Sequence, residues 1–142
     1  MMVLIPTVNQ KIRQAVENHP DRLGWFFTPR HYSLERGRLS KWAGDNDCYN
    51  LGERFDWSKF RSWLIRVQSI RENCLFVACP DIVGDHQATL RRFALWGAQI
   101  RELGFPVALV AQDGLRPSCV PWDEIDALFI GGTTAWKMST EV

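Results

Sequence analysis

The stretch from Cys74 to Gly114, CLFVACPDIVGDHQATLRRFALWGAQIRELGFPVALVAQDG, decides the fold of the chain. It contains two apolar runs without alternation, 74–79 and 107–111, a pattern typical of parallel strands that are covered on both faces. Between the runs, Asp85 is an N-cap candidate for a helix that continues to about Leu103. We therefore predict a strand–helix–strand unit in which the two strands are parallel neighbours.

The predicted helix has an apolar face and a clear end. Gly104 supplies a C-terminal stop, and Pro106 cannot continue a helix. Because parallel strands in such a unit point their carboxyl ends the same way, we expect Asp81, Gln112 and Asp113 on one rim, where α/β proteins bind ligands. The apolar face of the helix, at helical spacing, consists of Leu90, Phe93, Ala94, Gly97 and Ile100.

Length and composition are those of a single α/β domain, 1–142, with a core of ordinary size. Hydrophobic residues make up 46% of the 142 residues and charged residues 23%. The formal net charge of +1 provides no general attraction for nucleic acid, so any such contact has to be local. We find neither a signal peptide nor an apolar run approaching the ~20 residues of a membrane span, and we expect a cytoplasmic protein with no membrane partner.

The residue types that bind metals are scattered along the chain. The spacing of the cysteines is not that of metal ligands, and we expect reduced thiols in the core, no metal and no cofactor. The histidines are separate from one another and are expected at the surface. These residues are Cys48, Cys74, Cys79, Cys119, His19, His31 and His86.

Further strands and helices are predicted on both sides of the central unit. β-prone runs predict strands at 24–27 and 127–130, and weaker candidates lie near Val3 and Trp42. Amphipathic spacing predicts a helix over 8–18 and another from Asp56 to about Ile70. The buried face of the second helix is predicted to be Phe60, Trp63, Leu64, Val67 and Ile70.

A polar segment, 31–40, follows the second predicted strand. We expect it to be a basic loop, for which two interpretations stay open. It is either simply solvated, or it contacts phosphate together with Arg30.

Side chains that can hold a polar ligand are predicted to gather at the common rim. Carboxylates and amides present fixed donors and acceptors to a polar heterocycle, and a desolvated carboxylate can also transfer protons or act as a nucleophile. Taken singly, each acid is also explained by helix capping or solvation, Asp85 above all. The rim residues are Arg30, Asp45, Asn46, Asp81, Asp85, Gln112, Asp113, Gly131 and Gly132.

Four strings of the sequence together resemble the DpdA family over residues 23–137. Members of that family occur in phages and bacteria and are similar to tRNA-guanine transglycosylases. They are associated with the exchange of guanine in DNA for a 7-deazaguanine. The strings are Trp42-Ala-x-Asp45-Asn46, Phe76-Val-x-x-Pro80-Asp81-x-Val83-Gly84-Asp85, Pro106-Val-Ala-Leu-Val-Ala-Gln112-Asp113-Gly114 and Phe129-Ile-Gly-Gly132-x-x-x-Trp136-Lys137.

The resemblance implies a TIM barrel and a two-step base exchange through a covalent sugar–aspartate intermediate. It implies that Asp45 contacts the base and moves protons, with Asn46 beside it in the substrate site. It further implies that Asp81 accepts hydrogen bonds from the amidine edge of a purine. The residues after Asn46 depart from the family pattern, because Asp47-Cys48 stand where a glycine and a small residue are usual.

Other base contacts are implied later in the chain. The side chain of Gln112 or of Asp113 is expected to bind the base, with the register between them open, and so is the backbone of Gly131 and Gly132. The family's nucleophilic aspartate lies on a later strand than any predicted here, and its cysteine-rich zinc site has no counterpart. The sequence therefore reads as shortened on its C-terminal side, and a second copy or a companion chain is expected to complete the barrel.

We therefore expect an α/β fold of the TIM-barrel type, an incomplete barrel of about five parallel strands. The leading function is that of a DpdA-like transglycosylase that exchanges guanine or 7-deazaguanine in DNA. One alternative is a non-catalytic base-binding or accessory module. Another is a different barrel or a flavodoxin-like enzyme whose carboxylates serve another substrate.

Overall fold

The computed structural model describes residues 1–6 and 9–139. The strands are β1 Val3–Ile5, β2 Leu23–Phe27, β3 Trp42–Gly44, β4 Cys74–Ala78, β5 Val107–Ala111 and β6 Ala127–Ile130. The α-helices are α1 Gln10–Asn18, α2 Leu34–Leu39, α3 Cys48–Leu51, α4 Trp57–Val67, α5 His86–Glu102 and α6 Thr134–Lys137. Short 3₁₀ turns lie at Gly52–Arg54, Gln68–Asn73, Pro117–Cys119 and Trp122–Glu124.

All six strands are parallel and form one sheet whose spatial order follows the chain, β1-β2-β3-β4-β5-β6. A doubly wound sheet, such as that of a flavodoxin, reverses its strand order at a switch point, and this sheet does not. Sequential order is the winding of a (β/α) barrel. The predicted fold class is confirmed, with six strands where about five were expected.

The sheet is curled, as three aromatic rings on its inner face demonstrate. The ring centroids of Phe26 on β2 and Phe129 on β6 lie 5.8 Å apart, although three strands separate them in the sheet. Phe76 on β4 contacts the same Phe129 ring at 6.2 Å. A flat sheet would hold β2 and β6 roughly 19 Å apart at its usual strand spacing. The structure is therefore a half-barrel, and these residues from alternate strands form an interior layer of the kind that fills such barrels.

The main core lies on the opposite face of the sheet, under the helices. Trp42 on β3 is fully buried and donates its indole N–H to the carbonyl oxygen of Ile70 at 2.9 Å. The predicted buried face of α4 is confirmed, because all five of its residues are buried. The helix itself ends at Val67, earlier than predicted, and the chain continues to Asn73 as a 3₁₀ helix.

The structure corrects two predictions, one about the segment 31–40, which was predicted as a loop, and one about the buried face of α5. Segment 31–40 contains the helix α2, because the Ser33 hydroxyl caps the amide of Arg36 and Gly37 packs without a Cβ against Ile70. In α5, Ala94 is exposed and Thr89 is buried, because the Thr89 hydroxyl bonds to the backbone of Ile82.

The remaining predicted elements stand close to their expected places. Helix α1 is capped by Asn9, and Val8, from which that helix was predicted, lies outside the described residues. Within 1–6 and 9–139, no helix combines the length and hydropathy needed to cross a membrane. Cys48, Cys74 and Cys79 are buried free thiols, and Cys119 is exposed.

Candidate functional site

A cavity of about 540 Å³ opens at the carboxyl ends of β3 to β6. Its size falls within the range of small-ligand sites. The rim predicted from sequence is therefore a real depression in the structure. The predicted residues that line the cavity are Asp45, Asn46, Asp81, Gln112, Gly131 and Gly132.

Asp81 lies at the centre of a buried hydrogen-bond network. Its Oδ1 accepts a 2.8 Å bond from Nδ2 of Asn46, and its Oδ2 accepts a 2.5 Å bond from Nε2 of Gln112. Oε1 of Gln112 accepts from the amide of Gly84 at 2.8 Å, and Oδ1 of Asn46 accepts from the amide of Cys48. These bonds fix both amide orientations, so each carboxylate oxygen of Asp81 already has one donor and keeps a lone pair for a ligand.

Asp45 is the residue that follows β3, and it lines the cavity. Its amide continues the β2–β3 ladder by donating to the carbonyl oxygen of Phe27 at 2.7 Å. Its Oδ1 accepts from the amide of Asp47 at 3.1 Å, within a tight turn in which Asp47 has a φ of 61°. Burial of Asp45 is only partial, whereas Asn46 and Asp47 are buried.

Burial shifts the acidity of both cavity carboxyls in the same direction. Desolvation raises the pKa of Asp81, and the neighbouring Asp45 charge raises it further, while the hydrogen bond from Asn46 opposes the shift. Desolvation also raises the pKa of Asp45, and the charge of Asp47 adds to it. Two carboxyls with raised pKa values that share one cavity are suited to hold or pass a proton.

Arg92 is a site-forming residue that sequence reasoning missed. It lies on α5 and donates from Nη1 to the carbonyl oxygen of Asp81 at 2.7 Å. The same guanidinium lies 3.8 Å from Sγ of Cys48. Burial raises the pKa of Cys48 to about 12, so this thiol stays protonated and is not a nucleophile. The helical pattern could place Arg92 on α5 but could not show that it turns back towards the strand end.

The structure separates Gln112 from Asp113. Gln112 is 1% exposed and faces Asp81, whereas Asp113 is not among the residues that line the cavity. The Asp113 carboxylate accepts from the amide and the hydroxyl of Thr133, at 2.7 and 2.6 Å. These bonds lower the pKa of Asp113. Asp113 therefore holds the turn between β6 and α6, and Gln112 is the residue of this pair that reaches the cavity.

Gly131 and Gly132 are needed where they are for different reasons. A Cβ on Gly131 would lie 2.6 Å from Cγ1 of Val110 and 2.9 Å from Nε2 of Gln112. Gly132 has a φ of 75°, a conformation that favours glycine. The close approach of the Gly131 backbone to Gln112 brings main-chain groups to the edge of the cavity.

Other predicted residues are placed outside the cavity. Asp85 accepts from the amide of Ala88 at 2.9 Å and is the N-cap of α5, as the capping interpretation held. Arg30 pairs with Asp47, with Nε 3.2 Å from Oδ2. Cavity-lining residues that sequence analysis had not named as site residues include Tyr49, Thr134 and Lys137, of which Lys137 belongs to the string Trp136-Lys137.

The fold and the site together define a sequentially wound α/β half-barrel with an acidic, amide-lined cavity at the carboxyl ends of its strands. No protein-family model, curated protein or solved structure matches the chain. Among the described residues, no group of three or more His, Cys, Asp or Glu side chains is arranged to hold a metal ion.

Proposed function

We propose that the cavity binds a guanine-type purine base and that the protein acts on such bases in DNA, as a DpdA-like transglycosylase. The observation that carries the proposal is the convergence of Asp45, Asp81 and Gln112 with the backbone of Gly131 and Gly132 on one cavity. The resemblance to the DpdA family over four sequence strings supports the same assignment.

Hydrogen-bond chemistry supports a guanine-type base in particular. The amidine edge of guanine presents two adjacent N–H donors, and a carboxylate such as that of Asp81 offers two acceptors at matching separation. Adenine presents a ring acceptor at the corresponding position, which would face a carboxylate oxygen. Because Asn46 and Gln112 hold the Asp81 carboxyl in place, a ligand meets a preorganised edge.

One observation favours base binding without catalysis by this chain alone. Both oxygens of Asp81 accept hydrogen bonds, from Asn46 and from Gln112, so the carboxylate is held in place as an acceptor. Hydrogen bonds to both oxygens withdraw charge from a carboxylate and make it a weaker nucleophile towards a sugar carbon. The second candidate is therefore a base-binding or accessory module whose nucleophile comes from elsewhere.

The open edge of β6 supports assembly as part of the proposal. In the described structure β6 pairs only with β5, and Ile130 at its end is 46% exposed. Unpaired strand edges and the half-buried inner rings favour addition of further strands. We propose that another copy or a companion chain supplies them. The buried free thiols suit a reducing compartment, and the proposed location is the cytoplasm, of the host where the gene is a phage's.

Ligand-induced stabilisation tests base recognition. Guanine and 7-deazaguanine should raise the melting temperature, by an amount that corresponds to about 2.7 kcal/mol at a concentration a hundred times the dissociation constant. Adenine serves as the matched control, since it differs at the edge that faces Asp81. Equal shifts for all three bases, or no shift, would remove the guanine assignment.

Base exchange tests whether binding is followed by chemistry. Duplex DNA and labelled guanine are incubated with the chain alone and with any partner that co-purifies. Incorporation by the chain alone supports the transglycosylase and contradicts the accessory module. Guanine binding without incorporation in either preparation supports the accessory module.

A further inference from the structure

A second cleft, separate from the acidic cavity, is lined by three arginines and a histidine. It encloses about 400 Å³ beside the ends of β1 and β2, and we call it the arginine cleft. Arg13 of α1, Arg36 of α2 and the pair Arg30 and His31 before α2 all line it. No carboxylate is among the described residues that line this cleft.

Arg13 and Arg36 of the arginine cleft have no carboxylate partner among the described residues. The guanidinium of Arg36 stacks over the buried Trp25 ring, 5.3 Å from its centroid. His31 is placed by a tight turn in which Thr28 and His31 exchange backbone hydrogen bonds at 3.1 Å. Of the ion pairs among the described residues, the one between Arg30 and Asp47 is the only pair that involves a side chain of the arginine cleft. Arg13 and Arg36 therefore keep charges that are free to meet an anion.

The arginine cleft adjoins the acidic cavity. Phe26 lines the cleft, and its ring stacks at 5.8 Å on Phe129, which lines the cavity. On the other side, Arg30 contacts Asp47, the residue next to Asn46 of the cavity. A single extended ligand can thus place a neutral polar part in the cavity and an anionic part in the cleft.

We propose that the arginine cleft binds a backbone phosphate of the DNA strand whose base occupies the acidic cavity. This inference rests on the proposed function and adds Arg13, His31 and Arg36 to the residues that contact the substrate. Phosphate fits the cleft because guanidinium groups present paired donors to its oxygens. The carboxylates of the acidic cavity repel an anion, so the phosphate is expected in the cleft and not in the cavity. Because the overall charge is only +1, attraction for a polyanion has to come from local groups such as this cluster.

The test measures binding of a fluorescently labelled single-stranded DNA oligonucleotide that contains one guanine, over a series of salt concentrations. The double variant R13Q/R36Q should bind roughly tenfold more weakly at low salt, and the slope of log affinity against log salt should fall by about 1. Arg91→Gln on α5 is the matched control for the single variant Arg13→Gln, since it also removes one positive charge from an exposed position, and Arg91 lines neither the cleft nor the cavity. Arg13→Gln alone should show about half the change in slope with an unaltered fold, because Arg13 is exposed.

Guanine-induced thermal stabilisation of the same proteins separates this inference from the proposed function. Weaker strand binding by R13Q/R36Q with unchanged guanine stabilisation supports both. If R13Q/R36Q binds the strand more weakly but guanine stabilises none of the proteins, the result supports a phosphate site and overturns the assignment of guanine to the acidic cavity. Equal affinity and equal slope for wild type, R13Q/R36Q and Arg91→Gln overturn the arginine cleft, whatever guanine does. If inorganic phosphate stabilises the wild type against heat as strongly as the oligonucleotide does, the cleft is a small-anion site, and the assignment to a DNA strand is overturned.

Discussion

The same apolar strands form the helix-covered face and the concave face of the sheet, yet the large side chains at the centre of the two faces are buried to different degrees. On the covered face, Trp42 and Val77 are fully buried. On the concave face, Phe26, Phe76 and Phe129 are only half-buried. Helices exclude water from the covered face, whereas only the curvature of the sheet shields the concave face from water.

We therefore expect the covered face to determine stability and the rim above the concave face to determine ligand binding. Buried apolar area stabilises the fold mainly through the covered face. At the carboxyl ends of the strands the concave face meets the polar rim, where Gln112 donates a hydrogen bond to Asp81 inside the cavity. Substitutions on the two faces should therefore have separable effects on unfolding and on ligand binding.

The largest expected effect comes from truncating a side chain of the core between the covered face and its helices, where Leu64 of α4 lies. Leu64→Ala should lower the free energy of unfolding by about 3–4 kcal/mol, because Leu64 is fully buried and its removal leaves a cavity. Phe129→Ala on the concave face should cost only about 2 kcal/mol, because its ring is only partly buried. Urea unfolding of both variants measures the contrast, and equal losses would show that the two faces are buried alike in solution.

Asp81→Asn should have the next largest effect, about 2 kcal/mol. An amide presents one acceptor where the carboxylate presents two, so one donor from Asn46 or Gln112 is left buried without a partner. Asp113→Asn is the matched control, because an amide can still accept from the Thr133 amide and donate to its hydroxyl. Thermal unfolding should show the larger loss for Asp81→Asn, and the reverse order would contradict the network.

Gly131→Ala should destabilise the rim by about 1–2 kcal/mol, because the new Cβ must displace Val110 or Gln112. Guanine binding should weaken together with stability, since Gln112 moves. Gly52→Ala provides the comparison, because Gly52 has a positive φ of 53° but no neighbour within 4 Å of a Cβ, whereas Gly131 has close neighbours and no positive φ. The stability of Gly52→Ala should fall through backbone strain while guanine affinity stays unchanged, and loss of affinity in both variants would contradict a local role.

Asp45→Asn should have the smallest effect on stability and a clear effect on ligand binding. The pKa of Asp45 is raised in the folded protein, so above the ordinary pKa of 3.8 the folded state holds its proton longer than the unfolded state does. Wild-type stability should accordingly decline relative to the variant as pH rises from about 4 to 7. Urea unfolding across that range checks the sign.

Guanine binding completes the test of Asp45. The variant should bind guanine more weakly while its melting temperature stays close to that of the wild type. A large loss of stability at every pH would instead mark Asp45 as a structural residue of the turn.

Periodicity predicted the elements well where the signal was long. The crossover unit emerged with its cap at Asp85 and its helix ending at Glu102, because the cap, the apolar spacing and Gly104 all favour the same boundaries. Segment 31–40 was predicted wrongly as a loop, because α2 is short and gains its stability from packing of Gly37 against Ile70. That contact joins residues far apart in the chain.

The candidate site was predictable in its location but only partly in its contacts. The parallel-strand rule placed Asp45, Asp81 and Gln112 on one rim, and the structure places them around one cavity. The register between Gln112 and Asp113 stayed open in the sequence, because adjacent side chains on a strand differ only in the face they take. The curl of the sheet and the Thr133 turn decide it.

By itself, the sequence predicted about five parallel strands, a helical crossover from Asp85 to about Leu103 and the polar residues at the carboxyl ends of the strands, because strand propensity, caps and glycine stops act over a few residues. Tertiary structure alone decided that β2 and β6 approach through Phe26 and Phe129, that Arg92 turns back to Asp81, and that the arginine cleft adjoins the acidic cavity. These features depend on how far the sheet curls, and curl arises from the twist and packing of all the strands together.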